Sequence, residues 1–224
     1  MARLKTILGI GILVTIALFF DGCLEEQFIP DPSDPRLPQY TEDGNQVAGA
    51  LVNDIPWKTN FRTSIDMGWN RSFYFTAYPS YFTANSSGPA AKLTLEGHYT
   101  DGDNKDRRLD FIVFLKGISI SKLEDISFLN GQSVILDGKA NYAIIYDPYW
   151  TIENNVDYHY GGTGSITFRN IKKVKSLTIH RQNGERYNPI IVSGLFEFSF
   201  ENISVAVSSG RFDFYINDSY LDQM

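Results

Sequence analysis

The sequence predicts an all-β fold: an antiparallel sandwich or barrel-like domain of roughly ten strands with at most one short helix. Three observations lead there. Apolar and polar residues alternate with period two, the pattern of a half-buried strand. In segment 92–99, Leu93, Leu95 and Tyr99 face one way while Lys92, Thr94, Glu96 and His98 face the other; in 196–200, Phe196, Phe198 and Phe200 share one face. Turn residues recur about every 8 to 12 positions, among them Asp137-Gly138 and Asn183-Gly184. No segment keeps a helical period for three turns.

The first 22 residues read as a signal peptide. Arg3 and Lys5 precede an apolar run from Ile7 to Phe20, which ends at Asp21-Gly22-Cys23. That run is shorter than the roughly 20 residues that span the hydrocarbon core as a helix. Its end resembles the lipobox of bacterial lipoproteins, in which a small residue precedes a cysteine that becomes the lipidated first residue. The resemblance implies cleavage between Gly22 and Cys23 and a diacylglyceryl group on the Cys23 sulfur. Phe20 and Asp21 depart from the usual lipobox, where a leucine and a small neutral residue stand. Cys23 is the single cysteine of the chain, so no disulfide partner competes for it, and the folded body depends on its core alone.

Residues 23–45 read as the lipidated cysteine followed by a tether. Glu25 and Glu26 come first, then Pro30, Pro32, Pro35 and Pro38, which favour an extended polyproline spacer. The acidic pair resembles the signal that exports Bacteroidota lipoproteins to the outer face of the outer membrane, which implies a cell-surface location. A periplasm-facing anchor with a merely solvated acidic spacer is the alternative.

The β-rich domain is expected over residues 46–224. Strands are predicted at 46–52, 72–78, 92–99 and 109–116, the last apolar on both faces as a central strand would be. Ser121-Lys122-Leu123-Glu124 fits a capping box and predicts a short helix or helical turn over 122–128, stopped by Asn130-Gly131. Strands at 133–136 and 141–146 flank Asp137-Gly138 and predict a hairpin. Further strands are predicted at 163–170, 176–181, 190–201, 205–207 and 211–216. In the last, Phe212, Phe214 and Ile216 point inward and Asp213 outward.

Over this body the chain resembles a family of uncharacterised Bacteroidota lipoproteins known only as a domain of unknown function. The residues that carry the resemblance are Leu37-Pro38, Thr41, Gly44, Gly49, Val52-Asn53 and Trp57 at the front. At the back they are Gly164 to Phe168, Val192 to Phe198 and Gly210 to Asp213. Such a relationship implies a location and a fold; it brings no activity, cofactor or catalytic residue.

Composition narrows the function classes. With 43% hydrophobic and 21% charged residues the chain is globular, and its net charge of −6 and the isolated basic cluster Lys172, Lys173 and Lys175 argue against nucleic acid. His98, His159 and His180 form no zinc spacing. Asp101, Asp103 and Asp106 miss a calcium loop, since Lys105 and Ile112 stand where ligands are required. No nucleophile elbow or phosphate loop occurs, so the expectation is no catalytic residue, no metal and no cofactor. A hydrolase built on two carboxylates remains an alternative, because their separation is invisible in sequence.

Aromatic residues make up 14% of the chain, and most fall in the strand pattern. Tyr146, Tyr149, Trp150, Tyr158 and Tyr160 do not; they cluster around Asp147-Pro148 and Glu153-Asn154-Asn155. Flat rings beside amides and carboxylates suit a glycan or a peptide, because they give contact area at little entropic cost. Packing beneath a long loop would explain them as well. The expected function is thus a non-catalytic binding or interaction module. Its partners would be the membrane through Cys23 and a glycan, peptide or envelope protein; a structural subunit of an envelope complex is the further alternative.

Overall fold

The computed structural model describes residues 28–59, 73–83, 86–147, 158–176, 178–180, 186–216 and 221–223. They form fifteen strands: β1 (Val47–Val52), β2 (Ile55–Thr59), β3 (Phe73–Thr83), β4 (Ser86–Leu95), β5 (Gly97–Thr100), β6 (Asp106–Arg108), β7 (Asp110–Lys116), β8 (Ser133–Asp137), β9 (Tyr142–Tyr146), β10 (Tyr158–Lys173), β11 (Ile179–His180), β12 (Arg186–Tyr187), β13 (Ile190–Phe200), β14 (Val205–Ile216) and β15 (Leu221–Gln223). Two 3-10 helices, Leu123–Leu129 and Glu201–Ile203, are the helical elements among the described residues. None is long and apolar enough to cross a membrane.

Thirteen strands join one curled sheet in the order β15-β3-β4-β7-β9-β10-β13-β14-β1-β2-β5-β6, with β8 alongside β10. Every pairing is antiparallel except β15 with β3. The curl closes on itself, because β4 and β5 are one bent strand interrupted at Glu96. Its first part pairs with β3 and β7 and its second with β2 and β6. The ladder that leaves β4 through β7, β9, β10, β13, β14, β1 and β2 therefore returns to the same stretch of chain. Bent strands that change sheets are how sandwiches acquire corners.

Two glycines mark these corners. A Cβ on Gly97 would lie 2.3 Å from the Trp57 ring and 2.6 Å from the Lys58 carbonyl oxygen. Gly162 stands where β10 breaks register and passes from β9 to β13 and β8. A Cβ there would meet the Phe200 ring at 2.5 Å. Side chains are excluded at both bends by close approach.

The alternating strands bury one contiguous core. Phe73, Leu93, Leu95, Phe111, Val113, Ile145, Ile166, Phe168, Phe196, Phe198, Phe212 and Phe214 all belong to it. Trp57 is fully buried, 4.4 Å from the Phe111 ring, and donates Nε1–H to the Leu109 carbonyl at 2.7 Å. That bond lets indole burial proceed without an orphaned donor.

Several local readings change. The Asp137-Gly138 turn does not join a hairpin: β8 and β9 lie along different stretches of β10, at Thr163–Thr167 and Tyr158–Gly162. Asp137 instead accepts the amides of Lys139, Ala140 and Asn141 at 2.8–3.0 Å and shapes the passage between sheets. The expected short helix or helical turn is there as the 3-10 helix Leu123–Leu129, but Asp125 rather than Glu124 reaches back to the amides of Ser121 and Lys122, at 2.9 and 3.1 Å. The segments 205–207 and 211–216 are one strand. Asp101 organises the hairpin tip, taking the amides of Asp103 and Lys105 and the Arg107 Nε.

The stretch from Phe28 to Asn45, read from its prolines as a spacer, is strapped onto the barrel. Leu37 is fully buried. Asp213 does point away from the core, yet it is only 2% exposed, because this strap covers it. Its carboxylate accepts the amides of Asp43, Gly44 and Asn45 at 2.9–3.2 Å, the Ser193 hydroxyl at 2.7 Å and the Thr41 hydroxyl. Arg211 extends the attachment to Asp31 and to the Pro38 carbonyl. Leu37-Pro38, Thr41, Gly44 and Asp213, which carried the resemblance, therefore meet in one structural latch.

Candidate functional site

The outer face of β4, β7, β9 and the start of β10 forms an open groove of about 470 Å³. Period-two alternation builds it: residues that face away from the core on these strands line it. Lys92, Thr94 and Glu96 come from β4 and its bend. Arg108, Asp110, Ile112 and Phe114 come from β6 and β7, Tyr142, Ile144 and Tyr146 from β9, and Tyr158 and Tyr160 from β10.

Cross-strand pairing arranges these side chains in rows. Lys92 sits opposite Phe114, and Phe114 opposite Tyr142, whose rings stack at 5.0 Å. Thr94, Ile112 and Ile144 make the middle row. Asp110, Tyr146 and Tyr158 make the last, with the two tyrosine rings 4.7 Å apart. Tyr160 follows two positions along β10 on the same face, its ring 6.1 Å from that of Tyr158. Tyr158 is 42% and Tyr160 58% exposed, high values for such large rings. Ile112, Phe114 and Ile144 are buried and form the floor.

One end carries a charge cluster. Arg108 donates to Asp110 through Nη2 at 2.7 Å and Nε at 3.0 Å, and its Nη2 lies 3.5 Å from Glu96 Oε2. The guanidinium also lies 5.8 Å from the Tyr146 ring centre. Asp110 is buried and takes a further bond from the Gly97 amide at 3.3 Å. Burial pushes the Asp110 carboxyl above its ordinary range, and Arg108 partly opposes this. Glu96 is raised as well, by burial first and by the Asp110 charge second. Two carboxylates share the one guanidinium of Arg108, so the cluster is short of positive charge rather than rich in it. Thr94 Oγ1 is buried at the groove floor without a hydrogen-bond partner among the described residues.

Of the residues singled out by sequence, the fold brings Tyr146, Tyr158 and Tyr160 together in this groove. Tyr149 and Trp150 lie outside the described residues, as do Gly22 and Cys23. Lys92, Glu96, Arg108, Asp110, Phe114 and Tyr142 were not singled out. The alternation in 92–99 and 109–116 placed several of them on an outer face; it could not say which strands would lie side by side.

A second cleft of about 460 Å³ lies between the strap and β2–β5, lined by Phe28, Arg36, Pro56, Lys58, His98, Tyr99, Thr100 and Asp106. Arg36 is committed to Asp34 at 2.8 and 2.9 Å. His98 Nδ1 approaches Asp106 Oδ2 at 3.3 Å without hydrogen-bond alignment. Among the described residues no group of three histidine, cysteine or acidic side chains could hold a metal ion. No protein-family model matches the chain, and comparison with curated proteins and with solved structures finds no match either.

Proposed function

We propose that this protein is a lipid-anchored binding module of the outer membrane surface, tethered at Cys23, whose groove over β4, β7, β9 and β10 holds its ligand without catalysis. The exposed tyrosine platform carries the reading: Tyr158 and Tyr160 are 42% and 58% exposed beside a concave, polar-ended surface. Exposed aromatic area next to convergent polar groups is what recognition sites use and what an inert surface avoids. The signal and its terminal cysteine support the location. Asp110 is held by Arg108 and by the Gly97 amide, which suits a structural carboxylate better than an attacking one.

Two experiments test this. Cys23→Ala should move the protein out of the membrane fraction; unchanged detergent partitioning would contradict the anchor. In a glycan and peptide array, the full chain in detergent should capture a ligand that Tyr158→Ala and Tyr160→Ala together release. Retention by the double variant would remove the groove from the account. Release of new reducing ends or peptide fragments from the captured ligand would contradict the absence of catalysis.

A further inference from the structure

We infer that the ligand of this groove is a neutral glycan lying lengthwise across the tyrosine platform, an inference that rests on the groove being the binding site.

Charge accounting comes first. The groove holds two cations, Lys92 and Arg108, and two carboxylates, Glu96 and Asp110. Arg108 is engaged by both carboxylates, so its fork is not available to grip a phosphate, a sulfate or a carboxylate. An acidic ligand on the tyrosine platform would meet Glu96 beside it, whereas Lys92 stands two rows away, opposite Phe114. An uncharged ligand meets no such penalty.

Backbone geometry is the second argument. An extended peptide commonly binds by adding a strand to an open sheet edge. β4, β7 and β9 are each paired on both sides, so the floor offers no free main-chain partners. Peptide side chains would need deep apolar holes, and Ile112, Phe114 and Ile144 close the floor.

The surface that remains fits sugar rings. Tyr146 packs against Tyr158 across the strand pair with ring centres 4.7 Å apart, and Tyr160 carries the aromatic surface on along β10, its ring centre 6.1 Å from that of Tyr158. The step from Tyr158 to Tyr160 is comparable to the advance of one sugar ring along an extended chain. The apolar face of a pyranose stacks on an aromatic ring, and its hydroxyls seek planar acceptors and donors. Glu96, 31% exposed, and Arg108, 40% exposed, present such groups at the platform's end.

The test sorts ligand classes with the full chain in detergent, presenting neutral oligosaccharides, acidic oligosaccharides and peptides. Capture of a neutral oligosaccharide is expected, with affinity changing by less than about twofold between low and high salt, since no ion pair forms. Tyr160→Ala should weaken it by about tenfold or more, and Tyr160→Phe should retain most of it, because the ring face is kept. Capture of acidic glycans alone, with affinity falling about tenfold in high salt, would overturn neutrality. Capture of peptides alone would overturn the glycan class. In both cases loss on Tyr160→Ala would leave the groove itself standing. Binding that ignores Tyr158 and Tyr160, or no binding by any class, would overturn this inference together with the groove.

Discussion

The amide of Gly44 donates to the buried carboxylate of Asp213 across 2.9 Å, joining positions 169 residues apart. Around that bond the strap 28–45 and strand β14 become one body. Asp213→Ala would leave three amides and two hydroxyls without their acceptor, the Gly44 amide and the Ser193 hydroxyl in buried settings and the other three in partly buried ones. A loss of about 3 kcal/mol or more is expected, read as a shift in urea midpoint at constant slope. A chain beginning at Gln46 should be destabilised in the same way, and also by exposing the footprint of Leu37. Equal stability for chains beginning at Phe28 and at Gln46 would contradict the latch.

Acid should loosen the outer half of the strap first. Hydrogen bonds from the Ser33 hydroxyl and amide, then Arg211, hold the Asp31 carboxyl down from 3.8 to about 2. A carboxyl depressed in the folded state lends stability above its unfolded value and loses it as pH falls through the folded one. The contribution of Asp31 is thus complete above about pH 4 and fades towards about pH 2. Urea midpoints of the wild type and Asp31→Asn should differ at about pH 5 and converge near pH 2. A gap that does not vary with pH would contradict the pairing.

Gly97 should not accept a side chain. Gly97→Ala places a methyl group against the Trp57 ring and the Lys58 carbonyl at the corner where β4 becomes β5. The indole is pinned by its bond to Leu109 and cannot step aside. Overpacking of this kind costs about 1–3 kcal/mol, with the upper end expected here. Thermal unfolding checks it, and a neutral outcome would mean the corner is looser than its contacts imply.

Thr94→Val should act in the opposite direction. The hydroxyl is buried with no partner among the described residues, and valine keeps the branched shape that a strand favours. Removing an unsatisfied buried hydroxyl should stabilise the fold by roughly 1 kcal/mol. A destabilised variant would show that the hydroxyl has a partner in solution, such as a bound water.

Much of the strand content was legible because alternation is local. Leu93 and Leu95 against Lys92 and Thr94, or the three phenylalanines of β13, state their faces without reference to anything else. Corners were not legible, since Gly97 reads as an ordinary strand glycine and Gly162 as the residue before a strand until the neighbours that crowd them are in place. Asp137-Gly138 looked like a hairpin because the same dipeptide serves a tight turn and a sheet-to-sheet passage. Asp213 was assigned to the correct face, but its burial comes from residues about 170 positions earlier. The groove was half visible. Tyr146, Tyr158 and Tyr160 stood out as a cluster near in sequence, whereas Glu96, Arg108 and Asp110 join them only through the pairings of β4, β7 and β9.

The central claim is that the tyrosine groove, and not the cleft beneath the strap, receives a neutral glycan. Calorimetric titration of the full chain in detergent with a captured neutral oligosaccharide separates the two, using Tyr160→Ala for the groove and Phe28→Ala for the cleft. The account predicts affinity reduced by about tenfold or more in the first variant and unchanged in the second. Loss on Phe28→Ala with Tyr160→Ala unaffected would contradict it.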